Sequence, residues 1–300
     1  LDSPDIPLNV SRSYLQSDPN VKKISSHITK KVADKLEELF KNNRSDFEAK
    51  WDDIRIFIEY GMISEEKFYE RAEKFCLLKN TEGKYYTLDE YKDQIKLLQT
   101  DKEKNLVYLY ATNIEEQHSF IQTAKERGYD VLIMDNVLDS HFINQLERKF
   151  EKSKFARVDS DIIDKLIQKD EEIPSKLSED QKNTLKPIIE NQVDKTKFSV
   201  QFESLSESEQ PILITQNEFM RRMRDMSAVG GGANYFGQLP EQYNLIVNSN
   251  HSLILRLLEE KDVEKQNKYA KQLTDLALLS QNLLKGEELT KFIKRSTELI

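Results

Sequence analysis

From Ser17 to about Leu78 the apolar residues return at steps of three and four, the period of one face of a helix. Val21, Ile24, Ile28, Val32, Leu36 and the pair Leu39-Phe40 predict a first helix, and Phe47, Trp51, Ile54 and Ile58 a second that Gly61 ends. A third helix starts near Ser64, with Glu65 and Glu66 facing the positive end of the helix dipole, and carries Phe68, Ala72 and Phe75. Thr87-Leu88-Asp89-Glu90 is a capping-box pattern, in which hydroxyl and carboxylate each accept from the other's backbone N–H, and it opens a short helix toward Leu98. The expectation for residues 1–100 is helix throughout.

Near Asn105 the period shortens. Leu106-Val107-Tyr108-Leu109-Tyr110 predicts a buried strand, Ile114 to Arg127 a helix stopped by Gly128, and Val131-Leu132-Ile133-Met134 a second buried strand. Asp139 or Ser140 caps a further helix through Phe142, Ile143, Leu146 and Phe150, and Phe155 to Val158 predicts a third short strand. Residues 101–158 thus read as a βαβ unit in a small α/β layer. Residues 159–180 are highly charged and contain Pro174, which makes them the expected boundary, with Ile162, Ile163, Leu166 and Ile167 forming one connecting helix.

Residues 181–300 mix strand and helix. Ser178 to Gln181 is another capping box, Pro187 starts or kinks a helix reaching Val193, and Lys197 to Leu205 alternates as a half-buried strand does, with Pro211 to Ile214 as candidate partner. Asn217 to Met226 predicts an amphipathic helix with Phe219, Met223 and Met226 on one side and three arginines elsewhere, running into Gly230-Gly231-Gly232. Tyr243 to Val247 predicts a strand, His251 to Leu258 a short helix, and two helices follow. In these, Ala270, Leu273, Ala277 and Leu284 trace one apolar stripe widened by Leu276, and Leu289, Phe292, Ile293, Leu299 and Ile300 trace another, around a Lys285-Gly286 turn. Such a hairpin carries more apolar surface than one chain covers, so the pattern predicts a homodimer in which two hairpins form a four-helix bundle. The fold class expected is multidomain α+β or α/β: a helical bundle, a small βαβ layer, then an α+β portion ending in the hairpin.

Composition narrows this picture. With 33% charged and 38% hydrophobic residues, and only 8 glycines and 7 prolines, a long disordered chain is excluded. No apolar run approaches the roughly 20 residues of a membrane helix, so no membrane partner is expected. The net charge of −8, with Lys and Glu interspersed, argues against nucleic acid, whose phosphates need a clustered basic surface. Cys76 is the only cysteine, which rules out an intrachain disulfide or a cysteine metal site and points to a reducing, cytoplasmic compartment. The chain starts at Leu1 rather than Met, as a piece of something longer would.

Candidate chemistry is sparse. The triple glycine lacks the Gly-Lys-Ser/Thr of a phosphate-binding loop and follows no strand, so it reads as a hinge. Asp135, Asn136, Asp139, Ser140 and His141 crowd the end of a strand, where α/β active sites lie, but these are also the residues that turn and cap. His27, His118, His141 and His251 have no ligand spacing, so no metal site is expected, and Cys76 beside Phe75 reads as packed core. Flexible, polarizable methionines re-pack around varied partners, so the 217–226 helix reads either as core or as a partner-binding surface. At the start of the chain, Pro4 and Pro7 hold the backbone extended, Asn9 or Ser11 caps a helix, and Arg12 and Gln16 share a face four residues apart. By spacing alone this is a capped helix with a solvated arginine, or an arginine held within reach of a phosphate.

Asp5-Ile6-Pro7-Leu8-Asn9-Val10-Ser11-Arg12, with Leu15-Gln16, closely resembles the catalytic loop in the middle domain of the ninety-kilodalton heat-shock chaperones, bacterial members above all. The resemblance continues through Phe47-Glu48-Ala49-Lys50-Trp51, Tyr60-Gly61, Tyr86 to Tyr91 and Gly128 to Met134, then over the methionine helix to the final hairpin. It implies the later part of the middle domain in residues 1–100 and 101–158, a connector at 159–180, and a C-terminal dimerisation domain at 181–300. It also implies that Arg12 reaches the γ-phosphate of ATP held by a separate N-terminal domain, stabilising transition-state charge, with Gln16 supporting that contact. ATP and Mg²⁺ would then belong to the full-length parent, and this fragment, with no cofactor of its own, is expected to be inactive as an ATPase.

The same resemblance implies a client-contacting surface at His141, Phe142 and Asn144 together with Phe219, Met223 and Met226, His141 standing where some bacterial relatives have tryptophan. Expected partners are a second copy of the chain, unfolded or partly folded client proteins, and bacterial co-chaperones. The ending Glu298-Leu299-Ile300 lacks the acidic tail that recruits helical-repeat co-chaperones. Two alternatives stay open: a dimeric adaptor that binds helical peptides without an ATP cycle, and, further off, a small α/β enzyme using the Asp135 to His141 cluster.

Overall fold

A computed structural model of the chain describes residues 19–169, 173–229 and 241–298. In chain order these form α1 (Pro19–Asn42), α2 (Arg44–Ala49), α3 (Trp51–Ser64), α4 (Glu66–Ala72), β1 (Leu77–Lys79), β2 (Tyr85–Thr87) and α5 (Leu88–Ile95). Then come β3 (Leu106–Ala111), α6 (His118–Glu126), β4 (Val131–Ile133), α7 (Asp139–Lys149), β5 (Ser153–Arg157) and the one-turn α8 (Ile163–Leu166). The last group is α9 (Glu179–Glu190), β6 (Phe198–Glu203), β7 (Ile212–Thr215), α10 (Glu218–Val229), β8 (Tyr243–Asn248), α11 (Ser252–Glu259), α12 (Val263–Ser280) and α13 (Gly286–Thr297). The protein is mixed α and β, with its strands in three small sheets. It divides into two compact units, residues 19–94 with 138–149, and residues 95–137 with the described residues from 150 onward.

The first unit is built on aromatic packing. Phe47 lies edge-on to both Phe40 and Phe75, at 5.5 and 6.2 Å between ring centroids, and next to the buried Trp51. The first predicted helix forms with Val32 and Leu39 of its stripe exposed, the second is divided between Ala49 and Trp51 so that Phe47 lies on a separate short helix, and this portion is not all helix. β1 and β2 form an antiparallel hairpin, pairing Leu77 with Thr87. Its turn is held by Asn80, whose Oδ1 accepts from the Glu82 and Lys84 N–H groups at 3.0 and 2.9 Å, with Gly83 at φ +76°. Gly61 does not end α3 either; it lies inside it, because the Phe68 ring sits on the spot where a Cβ would be, 2.7 Å from two ring carbons. The Thr87–Glu90 capping box is formed, and α5 stops at Ile95 rather than Leu98. Arg44 donates to both Glu90 oxygens, which holds that carboxyl down at about 2.

Helix α7 completes this unit by burying Phe142, Ile143 and Leu146, while Asp139 in its first turn faces Arg55 of α3 at 3.8 Å, both nearly out of solvent.

In the second unit β4, β3 and β5 form a parallel sheet with β3 in the centre, buried on both faces along its whole length. Val107, Leu109 and Ala111 pack with Ile121 and Ala124 of α6 and with Ile163, Leu166 and Ile167, whereas Tyr108 stacks on Phe155 at 4.5 Å. Helix α6 begins at His118 instead of Ile114, since the Gln117 side chain accepts from the Thr112 and Asn113 N–H groups and holds those residues in a turn. Gly128, at φ +74°, ends that helix region as expected. The third strand runs Ser153–Arg157, starting two residues earlier and ending one residue earlier than the apolar pattern alone indicates.

Residues 159–169 are packed on two sides: α8 and Ile167 enter the β3 core, while Ile162 clusters with Leu205 and Ile246. Arg127 secures them further by donating to Asp164 at 2.6 Å and to Glu209 at 3.2 Å. In the remaining sheet the order is β6-β8-β7, with β6 and β8 parallel and β7 and β8 antiparallel. Thus Pro211 to Ile214 is not the partner of the 197–205 strand; β8 lies between them. Helix α9 starts at the Ser178–Gln181 capping box and runs through Pro187. His251 caps α11 by accepting from the Leu253 N–H at 3.1 Å through Nδ1, and burial lowers its pKa. Helices α12 and α13 are joined by buried Asp275, which receives Lys271 at 2.7 Å and Arg295 at 2.6 Å on its two oxygens.

Candidate functional site

Helix α10 is seated on the C-terminal ends of β3 and β5 through its charges. The stripe Glu218, Arg221, Arg222 occupies positions i, i+3 and i+4, one side of the helix. Glu218 accepts from the Tyr110 hydroxyl, from the Arg157 backbone N–H at 3.1 Å, and from Arg222 Nε at 2.7 Å. Arg222 also donates to the Phe155 carbonyl at 2.7 Å. Beside it, Arg157 and Asp159 form a buried two-pronged pair, Nε to Oδ1 at 2.6 Å and the second prong to Oδ2 at 2.7 Å, and Arg221 adds a bond to Asp159 at 3.2 Å. Burial and the neighbouring Glu218 carboxylate push the Tyr110 phenol well up, so it stays a donor at any physiological pH.

Phe219, Met223 and Met226 lie at i, i+4 and i+7 on a different side. Phe219 is 67% exposed, and the two methionines are half-buried. The usual amphipathic surface helix buries its apolar stripe and solvates its charges. Here the charged stripe faces the fold and the largest apolar side chain faces water. Arg224 is tied separately to Glu241 at 2.6 Å.

The other site residues named from the sequence distribute as follows. Arg12, Gln16 and Gly230 to Gly232 lie outside the described residues. His141 and Asn144 of α7 are half-buried and belong to the first unit, whereas Phe142 is a fully buried core residue. Of the hairpin stripe, Ala270, Leu273, Ala277, Leu284 and Phe292 are buried within the chain itself. Leu289 is half-buried, while Leu276 and Ile293 are 47% and 54% exposed.

In the strand-end cluster, Asp139 starts α7 against Arg55 and Asp135 is exposed. Cys76 is buried, and burial with nearby Glu59 raises its thiol pKa, which suits packing rather than nucleophilic work. Among the described residues no group of three or more His, Cys, Asp or Glu is placed to hold a metal ion, and no helix is long and apolar enough to cross a membrane.

Sequence reasoning found the apolar stripe of α10 but missed Tyr110, Arg157, Asp159 and Glu218. The i, i+3, i+4 spacing of Glu218, Arg221 and Arg222 was the available signal. Their partners come from β5 and the residues just after it, about 60 residues earlier in the chain, and from β3, about 110 earlier, which spacing along one helix cannot reveal.

The sequence matches the family model described as Hsp90 protein over residues 1–299. It is 43% identical to a chaperone protein HtpG of Bacteroides fragilis and 45% identical to that of Porphyromonas gingivalis, in both cases over all of this chain and 54% of the relative. The HtpG of Wigglesworthia glossinidia brevipalpis is 26% identical over all of this chain and 47% of its own length. The chain therefore spans about half the length of the curated relatives it matches. With the match running from end to end, the chain belongs to the Hsp90 family.

Proposed function

We propose that this chain works as part of an ATP-dependent molecular chaperone and that α10 is one of its contacts with non-native proteins. The observation that carries this reading is the inverted helix: Phe219 stands in water beside two half-buried methionines while the charged side of the helix is engaged with the fold. An exposed aromatic flanked by adaptable thioethers suits segments of varied sequence, as a chaperone requires. In this reading His141 and Asn144 supply a second contact, and Phe142 holds from beneath the helical turn that carries them. Arg12 and Gln16 serve ATP bound with Mg²⁺ by another domain of the full-length protein. Leu276, Ile293 and Leu289 form the part of the hairpin stripe left over for a second copy of the chain. The relatives' common name, chaperone protein, supports the same reading.

The test is binding of a permanently unfolded probe, reduced and carboxymethylated lactalbumin, followed by fluorescence anisotropy. Two thirds of the 1.5–3 kcal/mol available from burying a phenylalanine is about 1–2 kcal/mol, so Phe219→Ser should weaken binding by about 5- to 30-fold. Unchanged affinity would remove α10 from the function.

A further inference from the structure

The ends of parallel strands are where α/β proteins keep their ligands. In this chain that place at β3 and β5 is filled by the chain's own Glu218, with Arg157 and Asp159 next to it. We propose that Glu218 and Asp159 are positioning residues that hold α10 charged side down, and so set the orientation in which its apolar side meets a non-native protein. The proposal rests on α10 being a contact helix.

Three physical points lead to it. First, the contacts anchor the helix at its beginning: Glu218 is its first residue, and Arg221 and Arg222 belong to its first turns. From this stripe, bonds run to β3, to β5 and to the residue pair just after β5, at the Tyr110 hydroxyl, the Phe155 carbonyl, the Arg157 N–H and Asp159. Second, the bonds are directional and charge-assisted, so they fix rotation about the helix axis, which apolar packing fixes poorly. A rotation by one residue, 100°, would bring Phe219 to where Glu218 now sits. Third, Asp159 is itself locked by two short bonds to Arg157, so the surface that receives Arg221 is rigid. Movement at the ends of β3 and β5 would therefore be carried directly into the angle of α10.

The experiment combines hydrogen exchange, which needs no client, with binding of the unfolded lactalbumin probe, using the full chain. Glu218→Ala should speed amide exchange in residues 219–229 by about tenfold or more, because it removes three bonds to a charged group, while β8 and α12 keep their protection. The same variant should lose affinity for the probe to a degree similar to Phe219→Ser. Glu218→Gln keeps the acceptor oxygen and should recover much of both properties, and Tyr110→Phe, which removes one hydroxyl, should fall between. Unchanged exchange in α10 overturns the positioning role. Faster exchange with full affinity, in a protein whose Phe219→Ser variant binds weakly, also overturns it, because presentation would then not depend on the anchor. Full affinity in Phe219→Ser overturns the contact reading on which the proposal stands, whatever the exchange data show.

Discussion

The dimer expected from the C-terminal hairpin makes a quantitative demand. Among the described residues, most of the apolar stripe on α12 and α13 is used inside one chain, and Leu276 and Ile293 are its large apolar residues still exposed, each by about half. Complete burial of a leucine or isoleucine contributes about 1.5–3 kcal/mol, so the exposed half of each has about 0.7–1.5 kcal/mol left to contribute. Two such residues from each of two protomers give about 3–6 kcal/mol per dimer, or a factor of roughly 10²–10⁴ in the dissociation constant. Replacing both in Leu276→Ser with Ile293→Ser should therefore turn a micromolar dimer into a monomer at tens of micromolar. The fold should survive, because neither side chain belongs to the buried cluster of Ala270, Leu273 and Ala277. Sedimentation velocity across a concentration series measures the mass, and circular dichroism confirms retained helix. A double variant that dimerises as tightly as the parent would refute the argument, as would a parent that is monomeric at these concentrations.

Further outcomes follow from individual contacts. Phe142→Ala removes a fully buried side chain of the first unit and should cost about 3–5 kcal/mol in denaturant unfolding, whereas Phe219→Ser should leave stability within about 0.5 kcal/mol of the parent. Gly61→Ala should destabilise by about 1–3 kcal/mol, against the usual gain for such a change in a helix, because the new methyl meets the Phe68 ring; a stabilised variant would show that the ring moves aside freely. Glu90 has a folded pKa of about 2 against an ordinary 4.5. Its contribution is thus complete above pH 4.5 and is lost as the pH falls toward 2, so thermal melts of Glu90→Gln should show a shallower decline through that interval than the parent.

Helices with a full apolar stripe were legible because their information is local, as were β3 and β4 as unbroken apolar runs and the two capping boxes. The β1–β2 hairpin was not, since each strand is only three residues long and the preceding helical period runs visually into Leu77. Gly61 shows a second limit: a glycine signals a helix end unless a ring from another helix needs its space, and sequence does not display the ring. Pairing of β6 with β8 instead of β7 is a non-local choice that alternation within a strand leaves undetermined. The same holds for α10. Its two stripes were readable from periodicity, but which faces the fold depended on Tyr110, Arg157 and Asp159, and Asp159 stands in a charged run that composition alone marks as a linker. For the hairpin, periodicity found the stripe without dividing it into the part used inside the chain and the part left exposed.

Contact of non-native protein with the side of α10 that bears Phe219 can be read from covalent capture. A photoreactive phenylalanine analogue placed at position 219 tests this directly, with the same analogue at exposed Lys261 as control. On irradiation with the unfolded lactalbumin probe, position 219 should give a covalent adduct that excess unlabelled probe suppresses, and position 261 should give little. Equal labelling from both positions, or none from position 219 while the probe is bound, would contradict this contact.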